Sequence, residues 1–505
     1  MRYYLLIAVI FYGVNLNAQN RSSIWCFGDS SGIDFTNVLN PSPIFSAAKS
    51  RGSCASISNK TGNLLFYYTD DPLGSLSGFP FNSGRIYNRN NFLMPNGDQI
   101  ISGLWYMEGL ITPDPSDSNK YYLFNVGVTG NFGLYYSTID MSLDSGLGGI
   151  VQKNIQLLPD QANDGLIAIK HGNGRDWWVL FRNFGATFNN SFYKFLVSPS
   201  GISGPFIQNI GTVLNSGFQR FAFNKTGNKL AMVMYDGLIE TYDFDRCTGL
   251  LSNVTTISTQ FGPMDDLWSC AFSPNGRFLY VSSTGFPTTS YIFQIDLQNS
   301  TSSALDTVWS FSTWTLAVGA LKLAPDDKIY AATTYYDGGG TVPNYPYADT
   351  VYNSYNMNLS VINSPDSLDS LCDFQPWSFY LGGYRTYWGL PNNPDYDMKP
   401  LYGSVCDSLS AGINEQEATG KGQLFVSYVS EWEKLFVNAQ KLKGKKTMLR
   451  VIDMLGNVVY QSNATKVTGG GYFTEDVDCS AFAMGLYIVS LQTEREVLAK
   501  KFVIN

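Results

Sequence analysis

NKTGNLLFY, at residues 59–67, returns in altered form as DPSDSNKYYLF at 114–124, HGNGRDWWVLF at 171–181, NKTGNKLAMV at 224–233, SPNGRFLYV at 273–281 and APDDKIYAA at 324–332. Each copy is a tight polar turn followed at once by an apolar, aromatic-rich run, the pattern of a hairpin whose second strand is buried. With Gly62, Asn119, Gly174, Gly227, Gly276 and Asp327 as turn markers, the intervals are 57, 55, 53, 49 and 51 residues. Such a period suits the four-stranded blade of a β-propeller, whereas helical repeats are shorter and carry a 3.6-residue apolar rhythm.

A ring of blades has to close, and both ends of the repeat region offer material for closure. Residues 24–35 (IWCFGDSSGIDF) hold two short apolar strands around a Gly/Ser/Asp turn, and PIF at 43–45 reads as a third. The run YWGLPN at 387–392 has the aromatic-then-turn character of the motif, but no buried strand follows it. The expectation is an all-β seven-bladed propeller over residues 19–409 whose last blade is closed by the N-terminal strands, which would leave no open sheet edge. Six or eight blades are also compatible with the spacing.

Composition agrees with an all-β chain. Charged residues are only 15% of the 505, aromatics also reach 15%, and there are 48 glycines, which suits sheets and turns rather than helix bundles. The net charge of -8 makes the protein a poor partner for a phosphate backbone, so nucleic acid is excluded as a ligand class. Arg2, the apolar stretch Tyr4–Val14 and the small residue at Ala18 read as a signal peptide over 1–18, cleaved after Ala18. Its apolar run is too short to span a bilayer, no other run approaches that length, and a monomer is expected outside the cell.

Export permits disulfides, and the seven cysteines leave at least one without an intramolecular partner. Cys247 closes one blade and Cys270 opens the next, while Cys372 and Cys406 flank YWGLPN, so these are the two expected pairs. Burial of all of them as small hydrophobes is equally open. The absence of CxxC argues against zinc.

Residues 410–422 (SAGINEQEATGKG) read as a polar linker. Beyond them, seven short alternating segments over 423–505 describe a small Ig-like β-sandwich. The elements KLFVNA at 434–439, LRVIDMLGNVVYQ at 449–461, MGLYIVSL at 484–491 and the terminal KKFVIN at 500–505 resemble the C-terminal sorting domain of type IX secretion cargo in Bacteroidetes. By that resemblance Asp453 and Gly456 match the D-x-x-G turn, Gly485 and Tyr487 the G-x-Y strand start, and Lys501-Phe502 the terminal K-F. It implies recognition by type IX secretion machinery at the outer membrane, removal by a sortase-like peptidase, and a secreted or cell-surface location. The Asn-Pro segment that commonly opens the domain is replaced by SYVSEWE at 427–433. CASISNKTGNLLFYYTD, YDFDRCTGLLSN and CAFSPNGRFLYVSS are similar to secreted propeller-like proteins of the same bacteria, and SPNGRFLYV is similar to seven-bladed lactonase-like propellers. That unit is structural, so the likeness implies fold rather than chemistry.

Chemistry is sparse. The one histidine, His171, sits in a repeat turn and reads as a solvated turn residue, which removes His-based triads and His-rich metal sites. Asp236, Asp243, Asp245, Asp265 and Asp266 cluster in sequence, but Asp in blade turns more often caps backbone. PDPSDSNK at 113–120 lacks the ladder of an EF-hand, and no phosphate-binding loop is present, so neither a metal nor a cofactor is expected. The insertion YYDGGGTVPNYPYADTVYNSYN carries Tyr335, Tyr336, Tyr345 and Tyr347, the expected ligand contacts, because tyrosine supplies area and a hydrogen-bonding tip. The functional expectation is a non-catalytic binding propeller for a glycan or protein. The alternatives are a propeller hydrolase or lactonase using carboxylates near the central channel, and a structural part of a surface assembly.

Overall fold

The computed structural model describes residues 20–407 and 422–504, apart from 72–82, 129–130, 161–162, 184–188, 215–217, 258–265, 286–288, 300–304, 314, 336–350, 430–432, 441, 444–446, 454–456 and 465–470. The chain divides into two compact units, Met1–Ala411 and Gly412–Asn505. The signal sequence expected at 1–18, Tyr336, Tyr345, Tyr347, Asp265 and Gly456 lie outside the described residues.

Among the described residues the first unit holds seven antiparallel sheets in chain order, five of four strands and two of three. Their innermost strands, for blades 1 to 7, are Ile24–Phe27, Cys54–Ser58, Gly109–Pro113, Ile167–Lys170, Gln219–Phe223, Leu267–Phe272 and Leu316–Leu323. Blades 1 and 2 are the three-stranded ones, spanning 24–49 and 54–88. All six motif copies are the turn between the first and second strands of blades 2 to 7. The second strand of each is then sandwiched between neighbouring blades, so Trp177–Arg182 and Phe278–Ser283 are buried at every position. In five of the six copies the turn holds one residue with a left-handed backbone. Gly62, Gly174, Gly227 and Gly276 supply it with φ of +91°, +76°, +74° and +74°, and Asp327 does so at +62°.

Closure differs from the sequence expectation. Blade 1 is built from N-terminal residues only, and residues 316–380 complete a four-stranded seventh blade without them. The C-terminal stretch adds only isolated bridges at Arg385, antiparallel to Asp29 and parallel to Ser30. The ring closes through side chains instead. Trp25, Phe35 and Tyr330 meet edge to face with centroids 4.9, 5.9 and 5.6 Å apart across blades 1 and 7. Cys26, Ala48, Tyr67 and Tyr87 fill the join between blades 1 and 2. Three rings in mutual T-contact add roughly 0.5–1.5 kcal/mol per pair beyond area burial.

The second unit packs a three-stranded sheet, ordered Gln423–Val429, Lys434–Gln440 and Phe473–Asp478, with a four-stranded one, ordered Val458–Ala464, Thr447–Asp453, Gly485–Thr493 and Val497–Ile504. Alternating residues such as Leu435, Val437, Leu449, Val451, Val489 and Leu491 form its core.

Candidate functional site

Beyond blade 7 the chain passes along the axis of the ring. Trp388 donates its backbone N–H to Arg51 O at 3.2 Å, and its carbonyl accepts from Ala320 N at 2.8 Å. Asn392 donates from its backbone to Cys54 O (2.7 Å) and from Nδ2 to Gly109 O (3.1 Å) and Leu166 O (2.8 Å), tying blades 2, 3 and 4 to one residue. Further along, Lys322 Nζ donates to Asn393 O at 2.9 Å, Lys170 Nζ to Tyr396 O at 2.8 Å and Arg246 Nη2 to Lys399 O at 2.8 Å. Leu390, Tyr396 and Met398 enter three different inter-blade cores. Such close passage needs glycine: a Cβ on Gly389 would lie 2.1 Å from Gly52 O, and one on Gly319 2.4 Å from Trp388 O. The segment emerges at the end of the ring that bears the motif turns. There Cys406 bonds Cys247, with an S–S distance of 2.02 Å.

This path corrects two sequence readings. Cys247 pairs with neither Cys270 nor any residue of its own neighbourhood, because Cys270 lies on an inner strand while Cys247 sits in a turn at the ring's end. Cys270 and Cys372 are buried free thiols, as are Cys26, Cys54 and Cys479. His171 is buried rather than solvated. Its Nδ1 accepts from Asn173 N at 3.1 Å, so the proton sits on Nε2, which donates to Cys247 O at 2.8 Å. Burial lowers its pKa, consistent with a neutral ring that fixes the disulfide turn.

At the opposite end, the mouth, the loops leading into the inner strands meet. Tyr106 packs edge-on to Trp268 at 4.5 Å, and Trp268 lies 4.6 Å from Trp388. Tyr106 covers Gly52, where a Cβ would come within 1.9 Å of its ring. The guanidiniums of Arg51 and Arg220 sit 5.8 and 5.1 Å from the Tyr106 centroid. A second aromatic string, Trp105 to Phe218 at 5.3 Å and Phe218 to Tyr235 at 6.0 Å, stays open to solvent, with Phe218 41% exposed.

Three carboxylates lie beneath this layer. Glu108 accepts from the backbone N–H groups of Gly103 (2.9 Å) and Trp105 (3.1 Å), which shapes the loop that presents Trp105 and Tyr106. Asp70 accepts from Ser50 Oγ at 2.6 Å, and Asp164 faces Arg220 Nη1 at 2.9 Å. Burial pushes Asp70 up to about 8 and Asp164 up to about 6, the latter restrained by Arg220, and raises Glu108 well above the usual carboxylate range. None is more than 1% exposed.

Of the expected contacts, Tyr335 packs against the mouth cluster of Tyr106, Ala317, Tyr387 and Trp388. Tyr355 stacks on Tyr335 at 6.2 Å, and Tyr352 lies under Arg385 at 4.0 Å. The aspartates do not converge. Asp243 pairs with Lys229 at 2.6 Å, which lowers its pKa, and Asp245 caps Cys247 N at 2.8 Å. Both are on the turn end, whereas Asp236 and Asp266 are at the mouth. No sequence motif marks Trp105, Tyr106, Glu108, Asp164, Arg220 and Trp268, although each stands just ahead of, or at the start of, an apolar inner strand.

In the second unit Asp453 closes a turn, donating its backbone N–H to Asn457 O (2.9 Å) and accepting from Asn457 N (2.8 Å). Tyr487 and Phe502 are register partners on neighbouring strands and stack at 5.6 Å, with Lys501 turned outward. Tyr487 Oη donates to Ala483 O at 2.7 Å.

A seven-sheet propeller followed by this sandwich defines the class. Residues 433–505 match the family described as the secretion system C-terminal sorting domain. The sandwich is thus a type IX sorting domain, and the chain is exported cargo, secreted or held at the outer-membrane surface. No curated protein matches the sequence. Similar solved structures include a proposed 6-phosphogluconolactonase of Bacteroides fragilis, at 14% identity and TM-score 0.39 over 65% of this chain and 94% of the other. A second, from Bacteroides uniformis, gives 14%, 0.39, 68% and 100%, and the Dos1 propeller 12%, 0.39, 84% and 90%. Among the described residues no helix is long and apolar enough to cross a membrane.

Proposed function

We propose that the propeller is a non-catalytic binding module that takes a glycan or protein ligand on the mouth of the ring, with Trp105, Phe218, Tyr235 and Trp268 as the contact surface and Tyr335 at its border. The observation that carries this reading is the filled axis. With the chain's own residues 385–407 running through the ring and Tyr106, Trp268 and Trp388 packed across the mouth, the part formed by the described residues is aromatic surface. Ring faces on a rigid scaffold bind sugars and side chains with little ordering cost. A glycan and peptide array probed with the mature chain tests it. Trp105→Ala and Phe218→Ala should each weaken the best hit by about 1–2 kcal/mol with an unchanged melting temperature. Equal binding by both variants and the parent would remove the mouth from consideration.

The hydrolase reading draws on the raised carboxyls at Asp70, Glu108 and Asp164, which resemble general acids in their environment. Their burial beneath Tyr106 opposes it. Turnover of glycosides, lactones or esters that disappears in Asp164→Asn would establish it. By the binding reading the exported protein is a monomer whose sorting domain is removed by a sortase-like peptidase. Its intact mass outside the cell should then end between residues 408 and 432, and a full-length product would sink that step.

A further inference from the structure

We propose that the mouth selects a sugar bearing an oxyanion, a carboxylate or sulfate, and that Arg51 is the residue that receives it. The inference rests on the mouth being the binding face and adds the chemical class of the ligand. Arg51 stands on the bend between the outer strand of blade 1, Ser42–Lys49, and the inner strand of blade 2. Its position is fixed at both ends: the backbone carbonyl accepts from Trp388 N at 3.2 Å, and the guanidinium lies 5.8 Å from the centroid of the Tyr106 ring. The side chain is half-buried, so it is held yet reachable.

The other cations at this end are already matched. Arg220 faces Asp164 at 2.9 Å, Arg85 faces Asp71 at 3.2 Å, and Arg385 and Lys49 share Asp29. Among the described residues Arg51 has no carboxylate within ion-pair distance. The acid that acts on it, Asp70, is fully buried and hydrogen-bonded to Ser50 Oγ, and burial raises its carboxyl to about 8, which favours its neutral form. A guanidinium cannot neutralise itself in this way. Arg51 therefore remains a positive charge in an aromatic rim with no counterion among the described residues, in a protein whose net charge is -8. A planar fork in such surroundings pairs best with an oxyanion, bidentately, and the partly buried Trp105 and Trp268, both packed against the Tyr106 cluster, offer aromatic surface for a sugar ring.

The experiment is titration calorimetry of the mature full chain at low salt with three probes of equal length: neutral laminari-oligosaccharide, oligogalacturonate and sulfated carrageenan oligosaccharide. At least tenfold tighter binding of one charged probe than of the neutral one is expected, falling as salt is raised. Arg51→Gln should erase that preference, Arg51→Lys should keep part of it, and Lys225→Gln at the far end should do nothing. Equal affinity for charged and neutral sugars, or a preference that survives Arg51→Gln in a variant with parental melting temperature, overturns the inference while leaving the mouth as a binding face. Failure of all three sugars, or Arg51-dependent binding of an acidic peptide in their place, overturns the sugar assignment itself. Loss of sugar binding in Trp105→Ala separates the two levels, since it reports on the mouth and not on the charge.

Discussion

The two ends of the ring are built by different rules. At the turn end each motif copy caps itself: Asn59, Asp114, Asn173, Asn224, Asn275 and Asp326 each accept a backbone N–H a few residues on, at 2.8 to 3.3 Å. At the mouth the loops differ from blade to blade and the partners are remote. There side-chain polar atoms of Asn125, Asn183, Gln219 and Thr334 are buried with no protein partner among the described residues. Local capping makes an end that repeats and is stable; remote packing makes an end that is individual, costlier to assemble and suited to recognition.

Four substitutions put that contrast at risk. The largest effect is expected from Cys406→Ser, which frees the axial segment where it leaves the ring. The bridge closes a sequence separation of 159 residues, so about 4 kcal/mol should be lost in urea unfolding, and parental stability would mean the segment needs no tether. Next is Gly389→Ala. Its methyl would meet the Gly52 carbonyl at 2.1 Å, backbone against backbone, and about 3 kcal/mol should be lost by overpacking.

Asp70→Asn should act through pH. The carboxyl is raised from 3.8 to about 8 by burial, so the folded state keeps a proton that the unfolded chain releases. Its contribution is therefore neutral below about pH 4 and becomes steadily more destabilising up to about pH 8. The variant should gain stability over the parent at pH 8 and almost nothing at pH 4. A gain that is the same at both pH values would place the effect elsewhere. The smallest change belongs to the turn end: Lys225→Gln removes an exposed pair with Asp327 and should shift stability by less than about 0.5 kcal/mol.

The blade count and the turn end were legible because their signals are local. A left-handed position next to a capping Asn or Asp, then a strand buried on both faces, recurs within a dozen residues and needs no knowledge of the rest of the chain. The same holds for the sorting domain, where Tyr487 and Phe502 are partners across adjacent strands. YWGLPN suits strand material by pattern, because aromatic residues before a turn look alike in a sheet and in a packed coil. Only its partners distinguish them: Arg51 and Ala320 at Trp388, and Cys54 at Asn392.

Residue pattern alone determined that this chain is a ring of blades with an export domain behind it, since hydrophobic period and turn chemistry act over a few residues. Tertiary structure decided how the ring closes, that its axis is occupied, that Cys247 meets Cys406, and that Arg51 stands without a counterion among the described residues. Those outcomes depend on which groups far apart in the chain come within a few ångströms, and on the desolvation that burial then imposes on Asp70, neither of which a one-dimensional pattern carries.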